Sequence, residues 1–364
     1  MNTISGLTAI LAGIFVADKR RIDCLVKMIM GLILAETVNL TRLACIVFGH
    51  ASQASHYRRL QRFFSGFRFD YNILARLIFS LFGFSEGVHY LVLDRTNWQW
   101  GKKNINILML CIAYKKIGIP IFWILLNKKG NSSTRERAAL ISRFIKIFGK
   151  ENIAGVLGDR EFIGKDWFSY LQQQGLKFYF RIKKDADTHN ACGKSVQVNW
   201  LFYDSEMNVV KKLKGLRPVY GHKLFISGMR LADGEYLIVV SNCDECCAIE
   251  VYGRRWEIET LFGCLKSKGF RFEETRLMKH DRIKKMIGLL ALAFCIAHKT
   301  GEWRHEEIKA IVVKKHGRPQ YNCFRYGINW IKEKWYQSTQ AACDAITRLI
   351  GFFKEAQVTG EFML

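Results

Sequence analysis

Over the first 85 residues apolar side chains recur at helical spacing, with no strand-like alternation. The pattern predicts a helical region over 1–87. Within it, LTRLACIVFGHASQASHYRRLQRFF predicts a first helix ending near Phe48, a turn at Gly49 and a second helix capped by Ser52 or Ser55. That second helix carries Tyr57, Arg58, Arg59 and Arg62. The pair is helix-turn-helix-like, with a basic helix suited to phosphates or a groove. A solvated basic face on a helical bundle is the plainer reading. From Tyr90 the texture changes to short apolar runs. YLVLDRTNW reads as a strand ending at an acid, and INILMLCIAYKK and IPIFWILLNKK as two more, joined by the tight turn KKIG. TRERAALISRFIKIFGK (134–150) is helical, with Thr134 as its cap. IAGVLGDREF is a strand ending at an acid, GKDWFSYLQQQG a helix and LKFYFRIKK a fifth strand. The order β-β-β-α-β-α-β over 88–185 predicts an α/β fold with a mixed sheet and helices packed on it. Residues 186–243 read as an all-β insertion. The segment 244–300 opens with a helix over 245–268, and 301–364 is helical and basic.

Composition sharpens this. Apolar residues make up 49% of the 364, enough for a real core and against disorder. Lys and Arg number 56 against 32 Asp and Glu, a formal charge of +24. Such an excess makes a polyanion the first partner to consider and argues against an enzyme of cationic or neutral metabolites. The eleven cysteines are odd in number, scattered and mostly in apolar runs, which fits a reduced, cytoplasmic setting. Cys243 and Cys246 have zinc-like spacing, but no second pair completes a set. No membrane segment is expected. Leu7–Val16 is short and lacks a basic leader, Met286–Ala297 suits a core helix, and 105–126 is interrupted by Lys115, Lys116 and Pro120. No phosphate-binding G-x4-G-K-[ST] loop occurs.

Two strands end in an acid, Asp94 and Asp159. A rigid sheet fixes the position of residues at its strand ends, so both are candidates for chemistry; turn formation or helix capping is the competing reading. On a helical wheel through ECCAIEVYGRRWEIETLFGCLKSKG, Tyr252, Arg255, Glu259 and Lys266 share one edge. Val251, Ile258, Leu261, Phe262 and Leu265 form the adjacent buried face. Glu257 lies well away from the stripe, which makes Glu259 the better candidate. Two Asp and one Glu offer the hard oxygen ligands that divalent metals take, and a metal pair can drive phosphodiester cleavage. Arg255 and Lys266 would bind backbone phosphates, with Tyr252 as donor or stacking group. The chemistry points to a nuclease or strand transferase.

The spacing Tyr252-x2-Arg255-x3-Glu259-x6-Lys266 resembles the YREK signature of the insertion-sequence-four family of bacterial DDE transposases, whose core is RNase H-like. The resemblance covers roughly 88–300: LDRTNW carries the first acid, GDREFIG the second and YGRRWEIETLFGCLKSKG the third. GRPQYNCFRYGINWI is similar to the family's tail. The resemblance implies that 88–185 and 244–300 form the catalytic core, interrupted by the β-rich insertion 186–243. It implies catalysis by Asp94, Asp159 and Glu259 holding two Mg²⁺ ions (with Mn²⁺ as a substitute), and a grip on the transposon end by Tyr252, Arg255 and Lys266. It further implies cut-and-paste transposition through a DNA hairpin, terminal inverted repeats read by the N-terminal helices, and a homodimer on DNA. In the family a Trp of the insertion holds a flipped base. Trp200 is the only Trp there, with a core position as its competing reading; Trp98 is a second aromatic in reach of DNA. The rival readings are a catalytically silent DNA-binding derivative and a metal-dependent nuclease without strand transfer. A recombinase using Tyr252 as nucleophile would leave the acids idle.

Overall fold

The computed structural model describes residues 3–46, 51–101, 103–244 and 247–337. In chain order it contains helices α1 (Thr3–Ile14), α2 (Lys19–Ala35), α3 (Leu40–Ile46), α4 (Gln53–Gly66) and α5 (Tyr71–Leu81), then strands β1 (His89–Trp100), β2 (Lys103–Tyr114) and β3 (Ile117–Leu125). Next come α6 (Thr134–Phe148), β4 (Ile153–Gly158), α7 (Lys165–Gln173) and β5 (Phe178–Arg181). Short strands β6 (Asp187–His189), β7 (Ser195–Gln197), β8 (Lys211–Lys212) and β9 (Arg217–Val219) precede β10 (His222–Arg230) and β11 (Tyr236–Ser241). Helices α8 (Ala248–Gly253), α9 (Trp256–Leu265), α10 (His280–Trp303) and α11 (Cys323–Gln337) follow. Two compact units result: Met1–Ser85 with Trp98–Lys103 and Phe262–Leu364, and Glu86–Asn97 with Asn104–Leu261.

The first unit is helical and centres on α10, whose run MIGLLALAFCIA is buried throughout. Helices α2 and α11 pack on it. The α10–α11 crossing is close because of Gly301 and Gly327: a Cβ on either would fall 1.8 Å from a backbone oxygen, of Cys323 or Ala297. Among the described residues no single helix is long and apolar enough to cross a membrane. The N-cap of α4 is Ser52, whose hydroxyl accepts from the Ser55 N–H at 3.3 Å. The expected helix end at Phe48 and the turn at Gly49 lie outside the described residues. The C-terminal region departs from continuous helix. After one π turn at Arg304–Ile308, residues 309–322 form only an isolated bridge before α11, because Gly317 and Pro319 interrupt helical bonding.

Glu36 ends α2 in a left-handed conformation, φ 49°, and receives Arg325 and Lys332 from α11, each at 2.5 Å. Burial pushes its carboxyl up, but the hydrogen bonds from Lys332 and Arg325 outweigh that and hold its pKa below the ordinary value. A lowered folded-state pKa gives stability that is present at neutral pH and is lost as pH falls through about 4.3 and then the folded value. Glu36→Gln should cost about 1–3 kcal/mol at pH 7. In thermal melts the gap from wild type should close as the buffer is taken below about pH 4.

The second unit is built on a mixed sheet of order β3-β2-β1-β4-β5-β11-β10-β8, with β9 paired to β10. The pairs β1/β4 and β4/β5 are parallel, whereas β2/β3, β5/β11 and β10/β11 are antiparallel. The β2–β3 turn places Lys115 and Lys116 at φ 44° and 72° between the closing pair Tyr114–Ile117, the twist a two-residue hairpin favours. Pro120 lacks an N–H and sits in the edge strand opposite a bulge at Leu110/Cys111. Three expectations are corrected. Strand β1 does not end at Asp94: it continues to Trp100 beside β2 after its partner β4 has stopped. Helix α6 is capped by Ser133 rather than Thr134, in a reciprocal box with Glu136. The 186–243 segment is not purely β: it includes a 3₁₀ turn at Val198–Phe202, and its β10 and β11 extend the main sheet by covering the edge of β5.

Candidate functional site

The parallel β1/β4 ladder ends at the pair Leu93–Gly158, and the next residue on each strand is an acid, Asp94 and Asp159. The two acids therefore follow one paired position of adjacent parallel strands, Asp94 midway along β1 and Asp159 just past the carboxyl end of β4. Gly158 is required: a Cβ there would lie 2.5 Å from the Phe180 ring. Each carboxylate takes the N–H of the following residue, Arg95 N–H to Asp94 Oδ1 at 2.6 Å and Arg160 N–H to Asp159 Oδ1 at 2.7 Å. Burial pushes the Asp94 carboxyl up to about 7, with Glu161 and Asp159 adding to the rise and the Arg95 N–H and Arg255 opposing it.

The segment 245–268 is not one helix. It breaks between α8 and α9, where N–H groups of residues 254, 255, 257 and 258 bond to carbonyls three residues back. The poor helix former Gly253 immediately precedes the tightened turn. The single-helix wheel therefore does not carry across residue 253. The Tyr252 ring is buried on α8, and its hydroxyl donates to Asp159 Oδ1 at 3.5 Å. Burial raises its phenol pKa, although Arg255 pulls the other way. Arg255 is 2% exposed. Its Nη1 donates to Asp94 Oδ2 at 3.3 Å and its Nη2 to Glu259 Oε1 at 2.7 Å, so one guanidinium bridges the first and third acids. Glu257 takes another direction: Arg254 Nε donates to its Oε1 at 3.4 Å, and burial raises its carboxyl while Arg254 opposes the rise. Helix α9 can lie this close to β3 because Gly118 has no side chain; a Cβ there would fall 3.1 Å from Ile258 Cα.

The structure thus gathers Asp94, Asp159, Tyr252, Arg255 and Glu259. Lys266 belongs to the helical unit. It pairs with Glu273 at 2.9 Å and lies 5.3 Å from the Trp98 ring, which packs edge-on against Phe272. Trp200 is 66% exposed on the 3₁₀ turn, so the core reading of that residue is overturned. On α4, Arg58 and Arg62 are exposed, while Arg59 donates to Asp23 at 2.5 Å. Cys246 lies outside the described residues. Sequence reasoning missed Arg95 and Glu161, which pair with each other. The signal available was a basic residue directly after Asp94 and a second acid two residues after Asp159.

Among the described residues no group of three or more His, Cys, Asp or Glu side chains is arranged to hold a metal; Asp94 and Glu259 instead share Arg255. In kind, the acids fit a divalent cation: ionised carboxylates are acceptor-only oxygens, and burial holds the Asp94 carboxyl up at about 7 even with Arg255 beside it. DDE transposases generally use divalent metals.

A solved structure of the piggyBac transposase in a synaptic complex with hairpin DNA is similar at 11% identity, with a TM-score of 0.45, over 98% of this chain and 79% of that one. No curated protein matches the chain. The family model described as the transposase DDE domain matches residues 89–296, more than half of the chain and the span holding all five gathered residues. The chain belongs to the transposase DDE domain family.

Proposed function

We propose that the protein is a cut-and-paste DNA transposase of the insertion-sequence-four type, with an RNase H-like core. The observation that carries this reading is the pair of acids Asp94 and Asp159 directly after the in-register pair Leu93–Gly158, with Arg255 bridging Asp94 to Glu259. Asp94, Asp159 and Glu259 would hold two Mg²⁺ ions, which when bound polarise the scissile phosphodiester and ease deprotonation of the attacking water. The chain's own groups do the rest. Arg255 exchanges its carboxylate partners for a backbone phosphate, Tyr252 orients Asp159 through its hydroxyl, and Lys266 binds the transposon end. Water cleaves one strand; the freed 3′-hydroxyl attacks the opposite strand and expels its hydroxyl, leaving a hairpin. A second water opens the hairpin and frees the transposon's 3′-hydroxyl, which then attacks a target phosphodiester and displaces the target strand's own 3′-hydroxyl. The helices of 1–87, through Arg58, Arg59 and Arg62, bind terminal inverted repeats. The segment 186–243 holds the hairpin, with exposed Trp200 as the aromatic for a flipped base. The basic 301–364 region adds phosphate contacts. Two protomers pair two ends on bacterial DNA in the cytoplasm.

Purified protein, given Mg²⁺ and DNA carrying the inverted repeats that bracket its gene, should yield hairpin-ended fragments and should join a pre-cleaved 3′-hydroxyl end to a plasmid. Cleavage without joint molecules would leave a nuclease; binding without cleavage would leave a silent DNA-binding protein. The charge of +24 adds a further expectation. Should six to ten phosphates be contacted, affinity will fall about 10³–10⁵-fold between 50 and 200 mM salt. Filter binding in EDTA that is insensitive to salt would sink the electrostatic part of this reading.

A further inference from the structure

Beyond the pair Leu93–Gly158 the β1/β4 ladder stops, so backbone pairing does not fix the separation of Asp94 and Asp159. The side chains just past them are in a position to do so. Arg95 follows Asp94, and Glu161 lies two residues after Asp159. Arg95 Nε and Nη2 donate to Glu161 Oε1 and Oε2 at 3.1 and 3.0 Å, a two-pronged pair. Arg95 Nη1 also donates to Asn106 Oδ1, and Nη2 to Asn131 Oδ1, both at 3.2 Å. Asn106, buried on β2, donates to the carbonyls of Lys128 and Gly130 at 3.0 Å each. From α6, Arg137 Nη2 donates to the Glu161 carbonyl at 2.9 Å. One guanidinium therefore ties β1 to β2, to the loop after β3 and to the turn after β4. The side chains of Arg95 and Glu161 are 12% and 24% exposed. A shielded ion pair is weak evidence for stability, because desolvation offsets its attraction. Its place beside both acids argues for geometry instead.

We propose that Arg95 and Glu161 are positioning residues, a clamp that sets the spacing of Asp94 and Asp159 for joint binding of a divalent cation. The inference rests on the reading of those acids as metal ligands. Residues that orient metal ligands typically change affinity by about 10–100-fold when lost.

The test is Mn²⁺ alone, titrated into the full chain and followed by the paramagnetic resonance of the free ion, with melting temperatures taken in parallel. Arg95→Gln and Glu161→Gln should each weaken Mn²⁺ roughly 10–100-fold. The double variant should be no weaker than the worse single, as two halves of one contact require. Arg95→Lys keeps the charge but loses the fork, and should also weaken binding. A pure charge effect predicts opposite signs: removing Arg95 would tighten Mn²⁺ and removing Glu161 would loosen it. Opposite signs, or wild-type affinity in Arg95→Lys, would overturn the clamp. Should these variants fail to melt cooperatively, Asn131→Ala on the exposed loop decides. A few-fold weakening supports the clamp, and unchanged affinity overturns it. Asp94→Asn separates the two levels. Unaltered Mn²⁺ binding there sinks the metal-ligand reading, whereas loss there with wild-type binding in the clamp variants sinks the clamp alone.

Discussion

Glu259→Gln should reduce Mg²⁺-dependent cleavage of end-bearing DNA by roughly 10³-fold or more while leaving DNA binding in EDTA within a few-fold of wild type. The substitution keeps the shape of the side chain and removes one full negative charge from a site that would concentrate divalent ions. Metal ions stabilise developing charge by several kcal/mol, and about 4 kcal/mol corresponds to roughly three decades in rate. In the protein without metal, Glu259 is held by Arg255 at 2.7 Å, so the amide also turns a charge-assisted hydrogen bond into a weaker neutral-acceptor one. Fold should survive, since Glu259 is partly exposed. A variant that cleaves as fast as wild type would refute the assignment of the third acid, however well the spacing of Tyr252, Arg255 and Lys266 matches the family.

Phe180→Ala should strongly destabilise the sheet unit, by about 3–5 kcal/mol. The ring is fully buried and meets Trp167, Phe168 and Phe178 at centroid distances of 6.3, 5.8 and 5.7 Å. It also lies where a Cβ on Gly158 would fall, directly behind Asp159. Removing it opens a cavity under the strand that presents the second acid. Urea denaturation followed by tryptophan fluorescence would report this through Trp167. The contrast is Trp200→Ala, which should change stability by less than about 0.5 kcal/mol because that ring is exposed. A loss for Phe180→Ala no larger than for Trp200→Ala would contradict the packing described.

Much of the element order was legible because period is a local property. The run of helices before residue 85 and the order β-β-β-α-β-α-β after it follow from apolar spacing and turn residues such as the KKIG hairpin. Element ends were harder to read. Asp94 looked like a strand terminus because an acid breaks the apolar run, yet β2 keeps β1 extended to Trp100. Ser133 displaced Thr134 as a cap because Glu136 completes a box only with Ser133. The break after Gly253 was invisible to a helical wheel, which assumes the continuity it is used to test.

What the sequence alone determined was the inventory: an α/β chain of high positive charge, strands leading into Asp94 and Asp159, and a spacing that singled out Tyr252, Arg255, Glu259 and Lys266. Only the tertiary structure decided which of them meet. Register is set by pairing between strands far apart in the chain, so the adjacency of Asp94 and Asp159 appears only when Leu93 faces Gly158. The bridge from Arg255 to Asp94 needs α9 laid against β3. Local spacing reports which side chains a segment offers. Distance in space depends on packing between segments, which no single segment encodes.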